Sequence, residues 1–351
     1  VRNTVLTSNW GHLVPLAEVT DTAWIIFIVS IIALLALDLG VFNRKVHVIK
    51  PKEALMQVAF FISAAIVFNA GVYYYMGSNS GLEFTTGYLM ELMLSVDNLF
   101  IIILIFTSFC IPDQYQHKVL FYGILGALVF RFLFIMVGVT LVESFEWVLY
   151  IFGAFLVITG IKMAVGKEKE SVEPEHNVMV RFFRKYFKVT KEYHGAKFFV
   201  RMPNGAGKAV MWATPMFIAL IVIESTDILF AVDSIPAILG ITTTSFIVFS
   251  SNAFAILGLR SMYFSLSHIM KLFCYLKYGL AAILTFVGVK MLVGIVDVHI
   301  PVLGSLAVIV LILGVAIGAS LIRTRHEATC PIVQEIQAES CPALKDLGDE
   351  K

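Results

Sequence analysis

Two stretches carry acids where acids are expensive. "ELMLSVDNLF" (Glu91–Phe100) holds Glu91 and Asp97, and "IESTDILFAVDSIP" (Ile223–Pro236) holds Glu224, Asp227 and Asp233, each inside a long apolar run. A charge at the centre of a membrane-spanning helix costs about 2.5–3.5 kcal/mol on insertion scales. Such acids need protons, an arginine or a cation to neutralise them. Glu91, Ser95 and Asn98 stand at i, i+4 and i+7 and share one helix face, and Glu224 and Asp227 stand at i and i+3. Asp97 and Asp233 fall off those faces on a regular helix, so a break at each VD dipeptide is expected to turn them inward. Pro236 supplies a reason in the second copy: it has no N–H and clashes with the carbonyl of Val232. Carboxylates beside an unwound carbonyl form a hard, all-oxygen cation site.

The candidate metal-binding set is therefore Glu91, Asp97, Asp227 and Asp233, with Glu224 and Asp38 assisting and Asn98, Ser95 and Ser234 adding neutral oxygens. Oxygen-only ligation selects against Zn²⁺ and Cu⁺ and leaves Mn²⁺, Mg²⁺, Ca²⁺, Na⁺ or H⁺ open. An oxyanion cargo is disfavoured, because the acids repel it. Arg131 and Arg260 sit well inside apolar runs and balance the acids' charge, either as a buried ionic lock or by filling the site when the cation is absent. Asp38 has a second option, a salt bridge to Arg44 or Lys45. Lys162 and Lys290 stand near helix ends and are expected to snorkel. Asn69 and Asn252 suit interhelical hydrogen bonds.

The elements that must hold these residues follow from composition. Of 351 residues 59% are hydrophobic and 15% charged, against roughly 25% charged in soluble domains; the mean hydropathy is +0.87. This predicts an all-α polytopic membrane protein. Nine spans are expected, near 22–42, 54–76, 86–108, 118–140, 144–166, 210–240, 244–267, 274–296 and 300–322. The sixth is too long for one straight helix. Loop 43–53 carries four Lys/Arg and loop 167–209 carries ten, while Arg323 and Arg325 follow the last span. With nine spans all three regions fall on one side, expected to be the cytoplasm, with the N-terminus outside and the C-terminus inside. Residues 1–20 lack the pattern of a cleavable signal peptide.

Loop 167–209 contains the basic-aromatic run "RFFRKYFK" (Arg181–Lys188). It is expected to be a solvated connector, or a surface-lying helix on anionic headgroups, and it is where protein partners would attach. Residues 323–351 read as a polar cytoplasmic tail. The net charge of +1 gives no footprint for nucleic acid. "GAGKAV" (Gly205–Val210) lacks the spacing of a phosphate loop, and no nucleophile–base pattern stands out, so neither ATP drive, a bound cofactor nor an enzyme is expected. Cys110, Cys274, Cys330 and Cys341 form no Cys-x-x-Cys pair.

The chain also repeats itself. "ELMLSVDNLF" aligns without gaps on "DILFAVDSIP" (Asp227–Pro236), so Glu91 meets Asp227, Asp97 meets Asp233 and Asn98 meets Ser234. "VFRFLF" (Val129–Phe134) then matches "GLRSMYF" (Gly258–Phe264), pairing Arg131 with Arg260. "VITGIKMAVG" (Val157–Gly166) matches "TFVGVKMLVG" (Thr285–Gly294). Repeat one is 86–166 and repeat two 210–296, each of three helices. Adjacent units with an odd helix number have opposite polarity, an inverted repeat of the kind many secondary transporters use.

"ELMLSVDNLF", "FAVDSIPAILGIT" and "SNAFAILGLRSMYF" closely resemble the TerC family of integral membrane proteins, over roughly residues 20–322. The family is similar to the wider lysine-exporter superfamily, whose members are built from inverted three-helix repeats. The resemblance implies a Mn²⁺ exporter. Other members are linked to tellurite tolerance, alkaline response or metal supply to exported proteins, so a membrane scaffold or metal-supply partner is the alternative role. Glu224 and the long basic loop are features the resemblance does not carry.

Overall fold

The computed structural model describes residues 21–38, 51–145, 147–165, 180, 182–183, 188–190, 192–203, 209–266, 276–294 and 300–326. In lipid every backbone N–H and C=O must be satisfied within the chain, and long apolar runs do so as helices. They are α1 (Asp21–Leu37), α2 (Pro51–Met76), α3 (Ser78–Ser108), α4 (Asp113–Ser144), α5 (Trp147–Val165), α6 (Pro215–Leu239), α7 (Ser245–Leu266), α8 (Leu276–Val293) and α9 (Val302–His326). Each falls on one expected span. Seven have the length and apolarity to cross a bilayer unaided, and α1 and most of α8 are shorter apolar helices.

The expected breaks are absent. α3 runs unbroken through Val96–Asp97, and α6 runs through Val232–Asp233 and past Pro236 to Leu239. Pro236 lies in the last turn of α6 and removes the N–H that would bond the Val232 carbonyl, yet the helix continues past it and the amide of Gly240 bonds back to the Pro236 carbonyl. The start of α6 is conventional, with Pro215 in the first turn after Thr214. α3 stops at Cys110, which takes the left-handed conformation (φ 50°) while the amide of Ile111 reaches the carbonyl of Phe106.

α3, α4, α6 and α7 form the inner group, with α7 the most fully buried span. α3 packs on α7 and α6, and α4 on α6 and α7; α2 covers α7, α9 covers α8 and α3, and α1 lies on α7. α5 and α8 pair closely through glycines. A Cβ on Gly160 would stand 2.8 Å from the Ala281 carbonyl oxygen and 2.9 Å from the Thr285 nitrogen, and one on Gly288 would stand 2.6 Å from the Gly153 oxygen and 2.8 Å from the Val157 nitrogen. Rising numbers in one helix meet falling numbers in the other, so the two run antiparallel. Many outward side chains are apolar and exposed, Val67, Ile158 and Leu311 among them, as a lipid-facing surface requires.

Part of the long basic loop is a small sheet. β1 (Lys188–Val189), β2 (Phe199–Pro203) and β3 (Ala209–Ala213) stand in the order β1-β3-β2, with β2 and β3 antiparallel and β1 parallel to β3. The sheet is seated on the turn between α3 and α4 and on the start of α6. Tyr193 Oη donates to the Phe109 carbonyl at 2.5 Å, and burial pushes this hydroxyl's pKa upward. Lys118 Nζ donates to the Ala196 carbonyl and lies 4.9 Å over the Phe198 ring. Thr214 Oγ1 donates to the Lys197 carbonyl, and Phe199 meets Phe217. The described residues between 188 and 213 are therefore a docked element rather than a free connector. Most of the Arg181–Lys188 run expected as a surface helix lies outside the described residues.

Candidate functional site

The inner group buries two charged clusters, one around each repeat-matched arginine. The first centres on Arg131 of α4, which is fully buried. Its Nη1 donates to Glu91 of α3 and, at 3.0 Å, to Oδ1 of Asn252 of α7. Its Nη2 and Nε donate to Oδ1 and Oδ2 of Asp227 of α6 at 3.0 and 3.3 Å. A planar guanidinium presents parallel donors in a fork, so one arginine can hold a carboxylate by both oxygens and still bind others. Four helices meet on this side chain. Asn98, on the Glu91 face of α3, donates through Nδ2 to Asp227 at 3.4 Å.

Beside this cluster lies a cavity. Its polar lining is Asn98, Thr226 and Asp227, and apolar residues such as Ile102 and Ile256 make much of its wall. Glu224 stands one turn from Asp227 on α6, close enough for the two charges to repel. Gly126 of α4 makes room for it: a Cβ there would fall 2.1 Å from the Glu224 carboxylate. Two oxygens here have no hydrogen-bond partner, Oδ1 of Asn98 and Oε2 of Glu224. Ser95 and Ser234 are also buried with unpartnered hydroxyls.

The second cluster centres on Arg260 of α7. It pairs with Asp38 at the end of α1 and lies 3.2 Å from Nε2 of His117 on α4. Asp38 is thus engaged with the second arginine and not with Glu91 or Asp227; Arg44 and Lys45 lie outside the described residues. Nearby, Tyr263 donates to Gln116 at 2.9 Å and Ser261 to Gln57 at 3.2 Å.

Glu91, Asp227, Asn98, Arg131 and Asn252 are brought together, and Glu224 stands next to them. Asp233 is not. It follows Asp227 by six residues, which on an unbroken helix is about 9 Å along the axis and about 120° around it, and its carboxylate bonds to Thr159 of α5. The expected inward turn needed a break that α6 does not have. Asp97 lies on helical backbone in α3, and its side chain is outside the described set. Among the described residues no three His, Cys, Asp or Glu side chains converge as a ready-made metal cage. Asn69 donates to Thr85 at 2.7 Å, joining α2 to α3 as its type suggested. Glu83 is a further half-buried acid of α3 that the sequence reading passed over; it interacts with Thr242 and with Lys290 of α8, so Lys290 has an acidic neighbour. Its position in the first turns of α3, ahead of the expected span, hid it.

The profile of the integral membrane protein TerC family matches residues 76–328. The chain is 50% identical to an uncharacterized membrane protein of Myxococcus xanthus, STKORF319, over 307 residues, 87% of this chain and 94% of that protein. It is 44% identical to a provisionally named membrane-bound redox modulator of Salmonella typhi, Alx, over 83% of this chain and 91% of the relative. A membrane protein of Rickettsia bellii is 42% identical over 86% of this chain and 97% of its own length. No solved structure matches.

Proposed function

Since the chain belongs to the TerC family of integral membrane proteins, we propose that it is a secondary transporter exporting a divalent metal cation, with Mn²⁺ the first choice, across the cytoplasmic membrane. One observation carries the reading. Glu91, buried, and Asp227, partly buried, come from two different helices to one arginine, next to a cavity and two unpartnered oxygens. Intramembrane acids facing a bundle interior mark ion pathways, and the donor set is all oxygen, which suits Mn²⁺ and the harder divalent ions.

The packing supports the inverted-repeat part of this reading. Gly160 matches Gly288 and Val157 matches Thr285 in the repeat, and the two glycines make the same backbone contacts on opposite partners. α3 and α6, the first helices of the two units, also run antiparallel: Gly87 adjoins Ile238 and Asn98 adjoins Asp227. Opposed units around a midplane site are the architecture of alternating access. Orientation, with the N-terminus outside, rests on the Lys/Arg bias of the loops.

The test is uptake of Mn²⁺ into inverted vesicles or proteoliposomes holding the full chain. Accumulation that depends on Asp227 supports export, and its absence for Mn²⁺, Mg²⁺ and Ca²⁺ alike overturns it. A second reading has its own observation. The docked sheet of 188–213 is a folded surface for membrane or exported partners, which suits a scaffold or metal-supply role linked to tellurite tolerance. Relatives named as redox modulators add a redox variant of it, for which Cys110, disulfide-bonded at the end of α3, is the foothold. Loss of partner association with intact metal transport on deleting 188–213 separates the two roles.

A further inference from the structure

The two arginines that the repeat aligns are held differently. Arg260 is bound by Asp38 and His117, away from Asp227. Arg131 divides its donors: Nη1 holds Glu91 and Asn252, while Nη2 and Nε occupy both oxygens of Asp227. Asp227 is also the carboxylate that lines the cavity, with Asn98 and Thr226 beside it. The oxygens without a donor, Asn98 Oδ1 and Glu224 Oε2, flank that same carboxylate rather than Glu91. Asn98 is itself 5% exposed, so its unpartnered oxygen is buried at the cavity wall.

We propose that Arg131 is a tethered competitor of the cargo for Asp227 and thereby sets the site's preference for divalent over monovalent cations. The proposal rests on the transport reading above. A cation arriving through the cavity takes Asp227, with Asn98 Oδ1 and Glu224 Oε2 as further ligands. Arg131 lets go of Asp227 and stays anchored on Glu91 and Asn252. A guanidinium and a divalent ion at contact distance on one carboxylate repel strongly in a low-dielectric interior, so one excludes the other. A single positive charge has little advantage over a bidentate guanidinium already in place, whereas a double charge does. With no cargo, the arginine spares the empty site two unpaired buried carboxylates. The same step has a mechanical side. The Arg131–Asp227 pair ties α4 of the first unit to α6 of the second, so cargo releases the tie between units that must move against each other.

The experiment is calorimetric titration of Mn²⁺ and of Na⁺ into the purified, detergent-solubilised full chain, monodisperse by gel filtration. Arg131→Lys keeps the charge near Glu91 but loses the fork on Asp227. It is expected to bind Mn²⁺ about tenfold more tightly than the unaltered chain, the equivalent of one charge-assisted bond. Arg131→Gln is expected to gain measurable Na⁺ binding as well. Arg260→Gln, at an arginine bound to Asp38 and His117 rather than to Asp227, is expected to leave Mn²⁺ affinity unchanged. Equal or weaker Mn²⁺ binding by monodisperse Arg131→Lys overturns the proposal, and so does an equal gain from Arg260→Gln. If the unaltered chain binds none of Mn²⁺, Mg²⁺ and Ca²⁺, the transport reading itself fails, a result distinct from an unaltered chain that binds and an Arg131→Lys variant that binds no better.

Discussion

Arg131 meets Asp227 through two donors, Nη2 at 3.0 Å from Oδ1 and Nε at 3.3 Å from Oδ2, joining α4 to α6 inside the bundle. The same guanidinium holds Glu91 of α3. Removing one acid takes a charge-assisted partner from Arg131 while the other acid still balances its charge, and losing a hydrogen bond to a charged group costs about 1.5–3 kcal/mol. Asp227→Asn and Glu91→Gln are expected to lower thermal stability in detergent by that order and to abolish Mn²⁺ transport in proteoliposomes. Transport at the unaltered rate by Asp227→Asn would rule out its carboxylate as a ligand.

Gly126→Ala acts on a different residue through space. The new methyl would overlap the Glu224 carboxylate, which is the movable end of a flexible side chain. The expected result is a modest stability loss, about 1–3 kcal/mol, together with weaker Mn²⁺ binding as Glu224 swings away from Asp227. Combining Gly126→Ala with Glu224→Ala should recover the stability but not the binding. Recovery of both would remove Glu224 from the site.

Asp38 belongs to Arg260 rather than to the Glu91–Asp227 group. Asp38→Asn should therefore destabilise the protein, again by about 3–5 kcal/mol, while folded protein keeps its Mn²⁺ affinity. The double change Asp38→Asn with Arg260→Gln should destabilise less than the sum of the two singles, since contacting pairs are non-additive. A double-mutant cycle by thermal unfolding measures the coupling.

The α5–α8 contact leaves no room for a side chain. Gly288→Ala places its methyl 2.6 Å from a backbone oxygen, which cannot rotate away, so the helices must separate. A cost of at least about 1–3 kcal/mol is expected. Gly314→Ala, with nothing within 4 Å of the added carbon, should be neutral or slightly stabilising. Melting temperatures of the two variants side by side give the comparison.

The docked sheet has a pH limit. Burial raises the Tyr193 hydroxyl above the ordinary value of 10.0, so it remains a donor to the Phe109 carbonyl. A group with a raised folded-state pKa contributes stability below its undocked pKa and loses it as pH rises beyond. Docking should hold up to pH about 10 and weaken above it, read as faster proteolysis within 188–213. Tyr193→Phe should remove that pH step and cost about 0.5–1.5 kcal/mol of docking.

Much of this protein is legible in its sequence for a simple physical reason. The bilayer allows a single answer for a long apolar run, so the helices and their number follow from the apolar runs. The acids stood out because charge in that setting is costly. The i, i+4, i+7 spacing placed Asn98 on the Glu91 face, and both belong to the cluster. The matched arginines were visible as candidates for balancing charge. What spacing cannot state is which charge meets which, because partners come from helices far apart in the chain. Asp227 is 96 residues from Arg131, and Asp38 is 222 from Arg260. Only the packing that brings Glu91 of α3 and Asp227 of α6 to α4 gave Arg131 its acids and left Arg260 of α7 to Asp38. Only the continuity of α6 past Pro236 decided that Asp233 faces Thr159, since a proline in a last turn and one in mid-helix read the same until the helix end is known.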